Sequence, residues 1–535
     1  MLKSISFLFL IRLSRMRTII NYKFKLNMKI LFLLTLLLST FSYGQKMKFK
    51  VIGQKDTTVF LVKYYGKGLF YADTAEIKGG LVEFDAARQI PGIFALLLPQ
   101  QKYFEFIYNN EDLQLETTGP DFVNAMKVKK SEENKVFIDY LKFLNVKRAE
   151  ANKISDERSK LKKEDPTFKE LTVKMDAISK EVLAYQTNLI AVNASKFVAK
   201  VVKMGMEITI PDAPKDANGK QIDSLFAYHY YREHYFDNID LNDGRVVNTP
   251  LFHTKLETYF GKTMMVQHWD SIIKYAFILC DRIDPKTKTF EYCVSWITST
   301  YEKSNIMGMD KVFVMMGDRY YCTTNPQGKS PAHWVPEEKL KALCDKVNVQ
   351  KNLVMGAKPP NISLRDTSDV KWIDVYGLKS DYTILYFWDP ECGHCKKTTP
   401  KLQELYLKKF KDRNIEVYAI SKAIGEDFGK WKKFIIENKL TFINVGVTES
   451  LFKAAMEDAR QFVPKYTNIE SLNYQTTFDI FSTPRVFVLD KDKKIIAKQL
   501  SISQLEDLLD KLQNQKNAVK LFPPDPEEDE QMHGN

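Results

Sequence analysis

The segment Tyr382–Lys397, YTILYFWDPECGHCKK, restricts the fold more than any other stretch of the chain. The short unbroken apolar run Ile384–Trp388 has the character of a strand buried on both faces. Such strands lie in sheets that helices cover on either side. The C-x-x-C that follows opens a helix-compatible stretch continuing through Pro400–Phe410. A helix start offers unsatisfied N–H groups and the positive end of the dipole, both of which lower a thiol pKa. Two intervening residues let the second thiol reach the first after one turn. Cys392 is therefore the expected attacking sulfur and Cys395 the resolving one. Attack on a disulfide leaves a mixed disulfide on Cys392, which Cys395 then releases.

The residues around this motif continue the alternation of strand and helix. Ile415–Ser421 reads as a strand and Phe428–Asn438 as an amphipathic helix. Arg485–Asp490 and Lys493–Gln499 form a hairpin about Lys491-Asp492, and Ile502–Leu512 is a terminal helix. Residues 449–476 are longer than a connection needs, which predicts a helical insertion.

The leading stretch PNISLRDTSDVKWIDVYGLK, the strand YTILYFW, the CGHCKK motif and Phe481-Ser482-Thr483-Pro484-Arg485-Val486-Phe487-Val488 carry a resemblance. Residues 355–515 resemble the thioredoxin superfamily, in particular envelope proteins of the TlpA/ResA type. The resemblance implies a cis bond before Pro484, facing the dithiol, and a Thr483 backbone that pairs with an extended substrate. Trp388, Gly393 and His394 are the remaining candidate substrate-binding or supporting residues. Gly393-His394 matches the dipeptide of protein disulfide isomerases, where a histidine favours the thiolate and raises the potential. No cofactor is implied beyond the redox-active Cys392–Cys395 disulfide itself. Two positions depart from the family: Tyr386 stands where thioredoxins keep a buried Asp, and Thr398 where TlpA/ResA-type proteins often carry Glu. No carboxylate is thereby assured as proton shuttle for Cys395, and Glu391 is expected to face solvent.

Upstream, Val59–Tyr65, Val82–Phe84, Phe94–Leu98, Tyr103–Tyr108 and Leu113–Leu115 have the spacing of a small β-sandwich. After Pro120 the period becomes helical. Asp165-Pro166 is a helix start, and Phe168, Leu171, Met175, Ile178, Val182, Tyr185 and Leu189 form an a/d seam. A long helical hairpin follows from this, with a dimer contact through 166–189 as the alternative. His229 and His234 are five apart, so they share no helical face and no metal site is expected. Cys280, Cys293, Cys322 and Cys344 admit bridges, for instance Cys280–Cys293, or buried free thiols; spacing alone does not give the connectivity.

The expected fold is thus multidomain α+β. Residues 1–44 are a signal sequence with an over-long start at 1–27, 45–120 a β-sandwich module and 121–350 a mainly helical region. Residues 351–515 are the thioredoxin-like α/β domain and 516–535 a disordered acidic tail. At 44% hydrophobic residues the chain is not a disordered one, and 6 Cys in 535 residues exclude a small disulfide scaffold. The formal charge of +12 falls to +5 without the seven bases before residue 31, so it gives no case for nucleic-acid binding. Residues 28–45, MKILFLLTLLLSTFSYGQ, have the layout of a secretory signal.

The expected function is thiol–disulfide exchange with exported proteins, disulfide-containing or reduced, in the periplasm or cell envelope. A membrane or envelope redox partner would close the cycle. Four rivals are weaker. A purely structural disulfide leaves the strand–helix placement unexplained. Half a zinc knuckle lacks a second ligand pair. A thiol peroxidase would carry Pro and Thr or Ser where Leu385 and Asp389 stand. A cell-envelope binding or scaffold protein requires the thioredoxin-like part to be vestigial.

Overall fold

The computed structural model describes residues 45–515 and 517–524. The signal sequence expected at 1–44 lies outside these residues. The chain forms two compact units: one runs to Asp240 and includes Gly244–Lys255, and the other comprises Leu241–Asp243 and Leu256 onward.

The first unit holds β1 (Lys46–Ile52), β2 (Thr57–Tyr65), β3 (Gly68–Ile77), β4 (Leu81–Asp85), β5 (Gly92–Leu97), β6 (Tyr103–Tyr108), β7 (Leu113–Thr118) and β8 (Lys127–Lys130). They make two four-stranded sheets, ordered β4-β1-β7-β8 and β3-β2-β5-β6. Alternation does the work: β1 reads KMKFKVI, and its Met47, Phe49 and Val51 point into one core with Phe104 and Phe106 of the other sheet. The helices Glu132–Arg158 and Pro166–Val192 form the expected hairpin. The a/d seam faces inward along it, with Tyr185 stacked on Phe143 at 4.0 Å between ring centroids.

Two side chains at the start of this hairpin hold the unit together. Asn134 is fully buried against β6, a sheet edge; its Oδ1 accepts from Ile107 N–H (2.8 Å) and its Nδ2 donates to Ile107 C=O (2.7 Å), as a further strand would. Glu133 accepts the N–H groups of Phe197 and Val198 (2.9 and 2.8 Å), capping the helix Phe197–Met204 that has no side-chain cap of its own. Asn134→Ala leaves both Ile107 groups unsatisfied in the core and should cost about 2 kcal/mol. The measurement is chemical denaturation followed by a probe in this unit; an unchanged midpoint would rule the bracket out as a stabilising contact.

The helical region expected as one block at 121–350 is divided between the units. Helices Trp269–Asp281, Lys288–Glu302, Asp310–Gly317 and Glu337–Gln350 share the second unit with the C-terminal sheet. The physical tie is visible at Lys498, a buried lysine that pairs with Asp310 and donates to Leu353 C=O (2.8 Å).

That sheet comprises β9 (Ser363–Asp366), β10 (Trp372–Asp374), β11 (Tyr382–Trp388), β12 (Ile415–Ala423), β13 (Ile443–Thr448), β14 (Arg485–Leu489) and β15 (Ile495–Lys498), ordered β10-β9-β13-β12-β11-β14-β15. β11 lies between β12, parallel, and β14, antiparallel. Its alternate residues feed two cores: Ile384, Tyr386 and Trp388 pack on one face, Leu385 and Phe387 on the other. The long connection 449–476 carries short helices, among them Glu449–Asp458. The tail expected as disordered from 516 is corrected over 517–524. Leu521 and Phe522 pack on the domain core, and their N–H groups donate to the fully buried Glu506.

Candidate active site

β11 ends at Trp388, and the turn Asp389-Pro390-Glu391 delivers Cys392 to the N-cap of the helix Gly393–Leu405. The turn is closed by Cys392 N–H to Asp389 C=O (3.1 Å) and Glu391 N–H to Asp389 Oδ1 (2.7 Å). A cysteine here does what serine or aspartate does at other helix starts. Its Sγ accepts the orphan N–H of Cys395 at 3.4 Å. The same sulfur lies 3.1 Å from the Thr483 carbonyl oxygen. The Thr483–Pro484 bond is cis and leads directly into β14.

The two thiols occupy opposite environments. Cys392 is half-buried and Cys395 fully buried beneath it. Burial opposes ionisation of Cys392, but hydrogen bonds from Thr483, from the backbone and thiol of Cys395 and from the His394 N–H outweigh it, and the thiol sits below its ordinary range. Burial pushes the Cys395 thiol up to about 12. Alkylation of the reduced protein should therefore modify Cys392 alone at neutral pH. The rate should rise with pH and level off below the usual thiol pKa of about 8.5. Equal labelling of both sulfurs, or a rate still climbing past that value, contradicts the assignment.

The remaining expected residues divide. Gly393 and His394 are exposed on the first helical turn. The backbone N–H of His394 is among the groups that favour the Cys392 thiolate. Trp388 is 2% exposed and packs on Phe434 (5.2 Å), so it supports the motif from below and offers no face to a substrate. Tyr386, in place of the family's buried Asp, shares a hydrogen bond with Thr399 (2.9 Å), and Thr398 is buried. Glu391 is exposed and faces Lys396 and Lys430 at 3.8 and 3.5 Å. Burial is the largest cause of the raised Cys395 thiol, with the Asp389 backbone and Thr483 opposing it and Cys392 adding to it.

Of the other cysteines, Cys322 and Cys344 form a disulfide, whereas Cys280 and Cys293 are both buried and free. The pairing suggested across 281–292 is thus replaced by one that fastens Glu337–Gln350 to the turn after Asp310–Gly317. His229 and His234 go to separate partners, Asp223 (2.7 Å) and Asp237 (2.6 Å). Among the described residues no cluster of His, Cys, Asp and Glu is placed to hold a metal, and no helix is long and apolar enough to cross a membrane.

A C-x-x-C whose first cysteine caps a helix at the end of a central strand, with a cis-proline loop against that sulfur, defines a thioredoxin-like dithiol domain. Residues 355–498 match the AhpC/TSA family, and residues 46–137 match a domain of unknown function, DUF4369. Thiol-disulfide oxidoreductase ResA of Bacillus cereus is 25% identical over 166 residues, 30% of this chain and 81% of the relative. A domain of a possible thiol-disulfide isomerase from Cytophaga hutchinsonii is 33% identical, covering 30% of this chain and 95% of that one, with a TM-score of 0.24. The thioredoxin domain of a thiol-disulfide oxidoreductase from Bacteroides vulgatus is 25% identical over 30% of this chain and 97% of that one, with a TM-score of 0.23. Through this domain the chain belongs to the thioredoxin superfamily, TlpA/ResA type, and it carries a thioredoxin-like redox function.

Proposed function

We propose that the chain is an exported thiol–disulfide oxidoreductase that exchanges disulfides with other exported proteins through Cys392 and Cys395. The observation that carries this is the split between the sulfurs: one half-exposed and acidified at a helix start, its neighbour buried with a raised pKa. Cys392 attacks the substrate disulfide, one substrate sulfur leaves as thiolate, and Cys395 then displaces the other. The substrate gains two electrons and the Cys392–Cys395 disulfide forms. A membrane or envelope redox partner reduces it again. Residence in the periplasm or envelope is supported by the layout of residues 28–45 and by the Cys322–Cys344 bridge, which an oxidising compartment maintains.

The peroxidase reading is less well supported, since Leu385 and Asp389 provide neither the proline nor the hydroxyl that such a site places ahead of its cysteine. The scaffold reading leaves the acidified Cys392 without a role. Mass spectrometry of species trapped on Cys395→Ser in an envelope extract tests the proposal. Exported cysteine-containing proteins bonded to Cys392 are the expected result, and their absence would count against it.

A further inference from the structure

The helix Pro166–Val192 spends one face on its hairpin partner and leaves the opposite face open. Of its 27 residues only Leu171 and Leu189 are fully buried. At about 100° per residue, Val173, Asp176, Lys180, Leu183 and Thr187 fall within about 80° of one another, nearly opposite the inner seam. Their 3,4,3,4 spacing makes a second heptad stripe. All five are exposed, Val173 at 68% and Leu183 at 48%. Ala177 and Ala184 beside them are exposed as well, and their small side chains leave a second helix room to approach. Among the described residues Asp176 and Lys180 make no ion pair although they stand four apart, whereas Glu181 next to them pairs with Lys147 of the neighbouring helix (2.6 Å).

An exposed apolar residue alone says little, but the order of these residues says more. Val173 and Leu183 lie five residues to either side of Ile178, and Asp176 and Lys180 lie two to either side. A two-fold axis sets residue i of one copy against j of the other, and j against i. An antiparallel pair of these helices centred at the level of Ile178 therefore sets Val173 against Leu183 of the second copy and Asp176 against its Lys180, each contact occurring twice. A parallel pair would set Asp176 on Asp176 and Lys180 on Lys180, which repel. The stripe is thus complementary to itself in one orientation.

We propose that the chain self-associates through this outer face, with two copies of Pro166–Val192 packed antiparallel. Two apolar layers flank two ion-paired ones, so the contact is small and its dissociation constant is roughly tens of micromolar. Salt weakens it by screening the ion pairs. It uses no residue of the dithiol domain and stands independently of the oxidoreductase reading.

Sedimentation velocity of the full chain from about 1 to about 200 μM tests the proposal. The expected result is a concentration-dependent dimer in the native chain. Asp176→Lys and Lys180→Asp each weaken it by about tenfold or more, because like charges then face each other. The two substitutions together restore it, since every facing pair is again opposite in sign. In a Cys392→Ser, Cys395→Ser background, Val173→Cys combined with Leu183→Cys oxidises to a dimer bridged between positions 173 and 183. Neither new cysteine bridges alone, since like positions lie about 15 Å apart along the paired helices. A monomer throughout, single reversals that leave the dimer intact, a double reversal as weak as the single ones, or a bridge joining position 173 to itself overturns the proposal.

Discussion

Cys392→Ser is expected to lower protein-disulfide reduction by on the order of a thousandfold or more, to the uncatalysed rate, while Cys395→Ser halts after one event with the substrate bonded to Cys392. The asymmetry follows from placement. Cys392 is half-exposed and ionises readily, so its sulfur is the only one of the pair that a folded substrate can meet. A serine hydroxyl in its place stays protonated and attacks no disulfide. Cys395 is buried and its thiol lies near 12, so it waits for a mixed disulfide to form before it acts. Below that value its thiolate fraction grows about tenfold per pH unit, and release of the substrate should accelerate with pH in the same way. Activity of Cys392→Ser equal to that of the native chain, measured by reduction of insulin, refutes the assignment.

Glu506→Ala should destabilise the C-terminal domain by about 3 kcal/mol, the range for breaking a buried charge pair on one side. Glu506 is fully buried; it pairs with Lys409, itself 11% exposed, and accepts the N–H groups of Leu521 and Phe522. Its loss leaves Lys409 to share Asp510 with Arg413 and frees the two N–H groups that hold the tail on the core. Two readouts follow: a lower thermal midpoint for this domain, and faster proteolysis between Gln513 and Phe522. An unchanged midpoint with an intact tail would show that Leu521 and Phe522 hold the segment without the carboxylate.

What the sequence made legible tracks how local each signal is. β11 and the Cys392 helix start are encoded within sixteen consecutive residues, and the a/d seam of 166–189 within one helix. β3 carries little strand signal because it is a sheet edge whose burial barely alternates, with Ile77 alone fully buried. β13 is hard to read because INVGVT is short and contains a glycine; in the sheet a Cβ at Gly446 would come within 2.6 Å of Ser421 O, so the small residue lets β12 approach. The docking of Leu521 and Phe522 and the Cys322–Cys344 pairing join positions far apart in the chain, which no local pattern reveals. The groups that acidify Cys392 include Thr483 and the backbone N–H donors of the helix start, which lie far from each other in the chain.

The most direct check of the central claim is a single turnover of the fully reduced chain with a protein disulfide, quenched in acid and mapped by mass spectrometry. A Cys392–Cys395 disulfide formed in step with substrate thiols, with Cys280 and Cys293 still reduced, is the predicted result. Substrate reduction with Cys392 and Cys395 left as thiols, or oxidation appearing at Cys280 and Cys293 instead, would contradict it.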